Sequence, residues 1–199
     1  MSICMSQNIN PFSYWVKKDL FAAGEYPGSQ YSWNYKTNLA TLIHSVNALK
    51  LTKGKFLNTS EIKIRSLLDA GIVSFVDLTE RGERPLYNGL LHSQRRKKML
   101  ATEYNRFPIK DKEIPQKKEM VDILDFIDLQ IYNKKKVYVH CFRGLGRTGT
   151  VLGCYLIRHG ATGKEALATI KQLRNQLAGS FRDSPETLKQ KSFILDWKE

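Results

Sequence analysis

A single short stretch of this 199-residue sequence carries residues whose types and spacing could do chemistry. Residues 139–149 read Val-His-Cys-Phe-Arg-Gly-Leu-Gly-Arg-Thr-Gly, which places Cys141 and Arg147 six positions apart with two glycines between them. An apolar run precedes the stretch, and a long apolar helical pattern follows it. A strand, loop and helix in this order point backbone N–H groups and the positive end of the helix at one place, which suits a doubly charged phosphate.

The two side chains at this place complement each other. The positive field that holds an anion also favours the thiolate form of a cysteine, and a thiolate is a nucleophile. An arginine that closes the loop can bind two phosphate oxygens through its planar guanidinium. Residues 139–149 therefore predict phosphoryl transfer through Cys141, with Arg147 binding the phosphate.

The motif His-Cys-x-x-Gly-x-Gly-Arg-Thr-Gly resembles the signature loop of the cysteine-dependent protein tyrosine phosphatase superfamily, specifically its small (atypical) dual-specificity branch. Sulfurtransferases and arsenate reductases use related loops, so the context of the motif matters. Residues 107–111 resemble the general-acid segment of the branch, residues 184–190 its final-helix segment, and residues 81–83 a weaker motif. The resemblance covers the chain from about residue 60 to the C-terminus, in order.

The resemblance implies a role for each matched residue. Cys141 would be the nucleophile, Arg147 the phosphate clamp and Asp111 the general acid. The phosphate-binding positions would be Phe142, Arg143, Gly144, Leu145, Gly146 and Arg147. In supporting roles, His140 would order the loop, Thr148 would stabilise the departing thiolate, and Gln190 would position the attacking water.

The function that follows is a metal-independent phosphatase acting on phosphotyrosine and/or phosphoserine/threonine in proteins through a phosphocysteine intermediate. Arg143 and Leu145 are the variable loop positions expected to contact substrate, and an arginine there favours an acidic neighbour of the phosphate. A phosphoinositide or RNA 5′-phosphate phosphatase with the same mechanism stays an alternative, and the apolar Leu145 weakens the phosphoinositide reading. A non-catalytic phosphate-binding module is the third possibility, and it has no need of Cys141, Arg147 and Asp111 together.

No cofactor or metal is expected, because the four histidines are scattered without metal-ligand spacing. The net charge of +13 favours anionic partners, either a phosphorylated protein or a phosphoinositide or RNA. Three irregularly spaced cysteines favour a reducing compartment, the cytoplasm first, while a nuclear or exported location stays open. The sequence has no candidate transmembrane segment and leaves the oligomeric state open.

The length suits one domain over residues 1–199, with residues 1–11 as a flexible N-terminus. Strands and helices alternate in the predicted pattern, which indicates a three-layer α/β domain. The resemblance adds a twisted, mostly parallel central sheet flanked by helices, the phosphatase fold. The predicted strands cover residues 72–78, 103–109 and 137–140, and the predicted helices cover 39–49 and 90–100 and begin near Pro115, Thr162 and Pro185.

Overall fold

The computed structural model describes residues 8–28, 59–98, 101–177 and 180–199. The helix expected over residues 39–49 lies outside the described residues. The strands are β1 (Asn8–Asn10), β2 (Ser13–Lys17), β3 (Phe21–Gly24), β4 (Ile72–Asp77), β5 (Glu103–Arg106) and β6 (Lys136–His140). The helices are α1 (Thr59–Asp69), α2 (Asn88–Lys98), α3 (Lys117–Tyr132), α4 (Gly146–Arg158), α5 (Gly163–Arg174) and α6 (Leu188–Leu195).

The six strands form one mixed sheet in the order β1-β2-β3-β6-β4-β5. Strands β3, β6, β4 and β5 run parallel to one another, while β2 pairs antiparallel with both β1 and β3. This arrangement confirms the mostly parallel sheet that the resemblance implies. Because the four parallel strands share one direction, their carboxyl ends lie along one edge, where ligands bind in open α/β sheets.

Alternate side chains of the central strands enter two separate hydrophobic clusters, which confirms the three-layer prediction. On β6, Val137 and Val139 join one cluster, whereas Tyr138 joins the other. Alternation of this kind is expected for a strand that is buried on both faces. The first cluster is covered by α3–α6 and the second by α1 and α2.

Helix α4 is buried along nearly its whole length, as its apolar sequence predicts. The capping box at Thr162 and Glu165 is present, and it starts α5 at Gly163. Two predicted helix starts are wrong by two or three residues. Helix α3 begins after a capping box formed by Gln116, not at Pro115, and α6 begins after one formed by Thr187, not at Pro185. In both cases a side chain that bonds the helix N-terminus decides the boundary instead of the proline.

The prediction of a flexible N-terminus over residues 1–11 needs a correction for residues 8–10. Residues 8–10 are not a flexible tail, since they form β1 and pair with β2. The buried Asn10 donates a hydrogen bond from Nδ2 to Ser66 Oγ at 2.7 Å, which ties the strand to α1. Residues 1–7 lie outside the described part of the chain. Among the described residues, no helix is both long and apolar enough to cross a membrane.

Candidate active site

The residues singled out from the sequence lie at the carboxyl edge of the sheet. Strand β6 ends at His140 and leads directly into Cys141, and the chain then turns into α4 at Gly146. Strand β4 leads into the loop that carries Glu83, and β5 leads into the segment that carries Asp111. Three parallel strands therefore each deliver one segment to the same edge.

The loop between β6 and α4, residues 141–145, is fixed by hydrogen bonds from outside it. Four of its carbonyl oxygens accept a hydrogen bond from another segment or from the preceding histidine. The donors are His140 Nδ1 to Cys141 O (3.3 Å), Tyr26 N to Phe142 O (3.0 Å), Arg174 Nη1 to Gly144 O (3.0 Å) and Ser184 Oγ to Leu145 O (2.9 Å).

These contacts turn the carbonyl groups away from the centre of the loop. Within the described part of the chain, no backbone N–H from residue 142 to residue 147 donates a hydrogen bond to another protein group. Adjacent unpaired amides at a helix N-terminus form a concave anion site. This arrangement suits an anion, and binding of phosphate by the backbone of this loop stays a prediction.

Gly144 is required by both its conformation and its surroundings. Its φ of +65° lies in the left-handed region. A Cβ added there would lie 2.4 Å from the carbonyl oxygen and carbon of Gly24, at the end of β3. The loop therefore packs directly on the neighbouring strand, and any side chain at this position would displace it.

Arg147 lies beneath this loop, and its side chain is 1% exposed. Its Nη1 and Nη2 atoms each donate to one carboxylate oxygen of Glu83, both at 2.7 Å. Nη1 also donates to the carbonyl of Ile109 at 3.1 Å. This bidentate pairing fixes the plane of the guanidinium.

The remaining donors of Arg147 lie on one side of its fork. Among the described residues Nε has no hydrogen-bond partner, and Nη2 lies 3.1 Å from Asp111 Oδ1. Burial works to lower the pKa of Arg147, but the hydrogen bonds of Glu83 and the negative charges of Cys141, Glu83 and Asp111 outweigh it and raise that pKa. The guanidinium thus stays charged, with Nε unpaired and Nη2 shared between Glu83 and Asp111 on the side that could face a phosphate.

Glu83 is a residue of the site that sequence patterns did not predict. Residues 81–83 were recognisable as a weak motif, but nothing in them indicates that the carboxylate pairs with an arginine 64 positions away. Burial works to raise the pKa of Glu83, whereas the hydrogen bonds to Arg147 and to the Glu80 backbone lower it below its usual value. Glu83 is therefore a carboxylate that orients Arg147.

Asp111 lies at the mouth of the site. Its side chain is 61% exposed, and its Oδ1 contacts Arg147 Nη2. The segment is anchored from below by the buried Ile109, whose N–H donates to Leu78 O at 3.1 Å. The structure therefore brings Asp111 and Arg147 together, and Arg147 belongs to the same loop and helix as Cys141.

His140 is fully buried, and its two hydrogen bonds fix its tautomer. Nδ1 contacts the carbonyl of Cys141, which can only accept, so Nδ1 carries the proton. Nε2 then accepts from the hydroxyl of Tyr87 at 2.8 Å. Burial lowers the pKa of His140, which favours this neutral form. The arrangement agrees with a role in ordering the loop.

Gln190 and Thr148 occupy different positions relative to the loop. The buried Gln190 packs against Gly146, where a Cβ would lie 2.9 Å from its amide atoms. Its Nε2 donates to Glu113 O at 3.1 Å and its Oε1 accepts from Thr187 N at 3.2 Å, so each atom keeps one further bonding position. The hydroxyl of Thr148 is buried in the first turn of α4 and has no partner among the described residues.

The two variable loop positions differ in exposure. Arg143 is exposed, as expected for a side chain that contacts substrate. Leu145 is buried, with 3% of its surface exposed. Its contact with substrate stays a prediction.

Two other residues that hold the loop were also missed. Arg174 and Ser184 bond to loop carbonyls across 30 and 39 positions of sequence. Arg174 gives no local sign of this role, because it ends an ordinary amphipathic helix. Ser184 lies within the segment that resembles the final-helix motif, but nothing in that segment indicates that its hydroxyl bonds the loop.

The two described histidines outside the loop, His92 and His159, do not form a second site. His159 contacts Asp128 Oδ1 at 3.0 Å at the far end of α4, and His92 is exposed on α2. Across the described residues, no three histidine, cysteine, aspartate or glutamate side chains come together as metal ligands.

Comparisons with known proteins agree with this geometry. A family model described as polymorphic toxin system, DSP-PTPase phosphatase matches residues 53–161, more than half of the chain. A protein of Invertebrate iridescent virus 3 named as a tyrosine phosphatase is 35% identical over 98 residues, 47% of this chain and 38% of the viral protein. The dual specificity protein phosphatase CDC14B of Mus musculus is 42% identical over 53 residues, 26% of this chain and 11% of that protein. The chain therefore spans well under half the length of these relatives.

A solved structure supports the fold. The kinase associated phosphatase, with serine in place of its catalytic-site cysteine, aligns with a TM-score of 0.62 and 17% identity. The alignment covers 87% of this chain and 83% of that one. At this level of identity the likeness shows the fold alone, and it confirms the expected phosphatase fold.

Proposed function

The chain belongs to the family described as polymorphic toxin system, DSP-PTPase phosphatase, and from that premise we propose that it hydrolyses phosphate monoesters on proteins through a phosphocysteine at Cys141. The observation that carries the proposal is the convergence of three groups. Cys141 opens a loop of unpaired amides, Arg147 lies beneath that loop, and Asp111 contacts Arg147 from the mouth.

In the first step the Cys141 thiolate attacks phosphorus in line with the leaving oxygen. An S–P bond forms while the P–O bond to the leaving group breaks. The amides of residues 142–147 and the Nε and Nη2 donors of Arg147 stabilise the equatorial oxygens. Asp111, in its protonated form, gives its proton to the leaving oxygen. The phosphate must take the Nη2 position that Asp111 occupies in this structure, and the exposed Asp111 then turns toward the leaving group.

In the second step Asp111, now a carboxylate, takes a proton from water as the water oxygen attacks phosphorus. The S–P bond breaks and inorganic phosphate leaves. Thr148 carries a buried hydroxyl without a partner among the described residues, which is available to donate to the departing thiolate. Gln190 orients the water through the bonding positions left free beside Gly146.

Hydrolysis of a small aryl phosphate tests the proposal directly. Turnover should persist in excess EDTA, because no metal takes part in either step. Cys141→Ser should abolish it, while Cys154→Ala, a change to the other free buried cysteine, should leave it intact. Full turnover by Cys141→Ser, or complete loss in EDTA, would reject the mechanism.

The protein substrate is identified by trapping. Asp111→Ala should bind phosphorylated substrate without releasing it, because the leaving oxygen receives no proton. Captured partners should elute with inorganic phosphate, which competes for the loop, and should not be captured by Arg147→Ala. Preferential capture of phosphoinositides or of 5′-phosphorylated RNA would instead establish the alternative substrate class with the same nucleophile.

The nucleophile also bears on location. Cys141 and Cys154 are both free thiols. A thiolate nucleophile is disabled by oxidation, so we place the active protein in a reducing compartment such as the cytoplasm. Loss of activity on mild peroxide treatment, restored by a thiol reductant, is the expected signature.

A further inference from the structure

Two arginine side chains from different segments meet on one aromatic ring beside the nucleophile. The guanidinium carbon of Arg84 lies 3.3 Å from the centroid of the Phe142 ring. That of Arg143 lies 5.7 Å from the same centroid. Because Phe142 directly follows Cys141, both positive charges stand at the rim of the anion loop.

The position of Arg84 is fixed on both sides. Its neighbour Glu83 holds both Nη atoms of Arg147. Its other neighbour, Pro85, accepts a hydrogen bond from the hydroxyl of Tyr26, and the Tyr26 N–H donates to Phe142 O. The contacts of Glu83 and Pro85 therefore hold Arg84 over the Phe142 ring, and the same contacts order the catalytic loop.

The cations and the carboxylates at this mouth are not balanced. Glu83 and Asp111 both pair with Arg147, and Glu113 pairs with Lys189. By contrast, among the described residues no carboxylate lies within ion-pair distance of Arg84 or Arg143, although the charge of Glu83 acts on Arg84. The same holds for Lys110 and Lys112, the exposed lysines on either side of Asp111, although the charge of Glu113 acts on Lys110. Like charges held together repel, so the mouth gains stability when an anion lies between them.

We propose that Arg84 and Arg143 form a second anion subsite, which selects phosphorylated peptides with an acidic side chain next to the phosphorylated residue. The inference rests on the proposed function and adds the substrate class. Successive residues of an extended peptide are about 3.3–3.6 Å apart. A glutamate one or two residues from the phosphorylated position therefore reaches the arginines while the phosphate occupies the loop.

A peptide fits this subsite better than a phosphoinositide headgroup does. The subsite is half apolar, since the Phe142 ring forms its floor. Leu86, two residues after Arg84 in the chain, exposes 62% of its surface. A peptide presents both a carboxylate and apolar atoms to such a surface, whereas an inositol polyphosphate presents hydroxyl and phosphate groups only.

The test compares two matched phosphotyrosine peptides, one flanked by glutamates and one by alanines. The wild-type kcat/KM should favour the acidic peptide by about 10-fold at low salt, and this ratio should shrink as salt screens the charges. Arg84→Gln and Arg143→Gln should each lower the ratio about 3-fold, and the double variant should bring it close to one. The quantity compared is the ratio of kcat/KM on the acidic peptide to kcat/KM on the alanine peptide. A change in basal turnover affects both values equally and leaves this ratio unchanged.

Two controls isolate the charge effect. Lys164→Gln removes one positive charge at the opposite end of α5 from Arg174, and it should leave the ratio unchanged. Arg84→Lys keeps the charge and should retain most of the ratio. An equal wild-type rate on both peptides, or a ratio unaffected by both glutamine variants, overturns the subsite.

Two further outcomes separate the possible failures. Faster hydrolysis of a soluble phosphoinositide headgroup, with the same dependence on Arg84 and Arg143, would overturn the peptide assignment. Loss of the subsite together with normal turnover of the small aryl phosphate leaves the proposed function standing. Absence of turnover on every substrate would reject the proposed function itself.

Discussion

The phosphate loop and the acid segment serve one site but are held in different ways. In residues 141–145, four carbonyls are bonded by other groups, and Gly144 packs on the backbone of β3. In residues 107–113, by contrast, Asp111 is mostly exposed and lies between two exposed lysines. Hydrogen-bond donors stabilise the charge of a transition state best when they are already in position and need no rearrangement. A group that exchanges a proton with a leaving oxygen and then with water must stay accessible.

This difference predicts how mutations act. Changes in the phosphate loop should impair both folding stability and catalysis, because the loop is part of the packed interior. Changes at Asp111 should impair catalysis alone. Each variant below is therefore measured for kcat, KM and thermal unfolding together.

The largest effect is expected for Arg147→Lys. Lysine keeps the positive charge but lacks the planar fork, so it cannot bind Glu83 and two phosphate oxygens at once. We expect kcat/KM to fall on the order of 10³-fold, measured by steady-state kinetics. A loss smaller than tenfold would mean that charge, not geometry, is what the loop requires.

Gly144→Ala should combine a loss of activity with a loss of stability. A left-handed alanine costs about 1–2 kcal/mol, and the clash with Gly24 adds to this and shifts the loop. We expect kcat/KM to fall on the order of 10²-fold. Gly160→Ala is the matched control, because Gly160 also has a positive φ but has nothing within 4 Å of an added Cβ. Equal effects of the two changes would contradict the packing argument.

Asp111→Asn should separate chemistry from stability. We expect kcat to fall about 10²-fold on phosphoserine peptides, with little change in KM and thermal unfolding within error. The loss should be smaller for an aryl phosphate with a good leaving group, which needs less help from an acid. Asp125→Asn, another exposed carboxylate that contacts an arginine, is the control. A raised KM with unchanged kcat would remove Asp111 from the role of acid.

Tyr87→Phe should have the smallest effect. It removes the hydroxyl that donates to His140 Nε2 and leaves a buried acceptor unpaired, which costs about 1–3 kcal/mol of stability. We expect kcat to fall only about 3-fold, because the Nδ1 bond to the loop carbonyl remains. A loss as large as that of Arg147→Lys would make the tyrosine part of the chemistry itself.

The same contrast explains what the sequence could predict. Cys141 and Arg147 lie in one local motif, and Asp111 lies in a short segment with its own pattern. The sequence pattern around each of these residues was therefore enough to predict it. Alternating apolar residues on the strands likewise predicted the three layers. Glu83, Arg174 and Tyr87 reach the site only through the fold. Their partners lie 30 to 64 positions away, and no pattern around any of them indicates the contact.

The predicted starts of helices α3 and α6 were wrong for a related reason. The helix after Gln116 starts where the Glu119 side chain accepts from the Gln116 N–H, and the helix after Thr187 starts where the Thr187 hydroxyl accepts from the Gln190 N–H. Proline gives a stronger local signal and drew the predicted boundaries toward Pro115 and Pro185.

The distant supports of the loop impose an order on its assembly. Arg174, Ser184 and Gln190 all follow α4 in the chain, yet each touches the loop or its helix. A nascent chain that has left the ribosome only as far as Arg158 thus carries the nucleophile Cys141. It still lacks the three residues that hold the loop of residues 141–145 and its helix. The proposed phosphatase activity can begin only when Arg174, Ser184 and Gln190 have been synthesised and have docked.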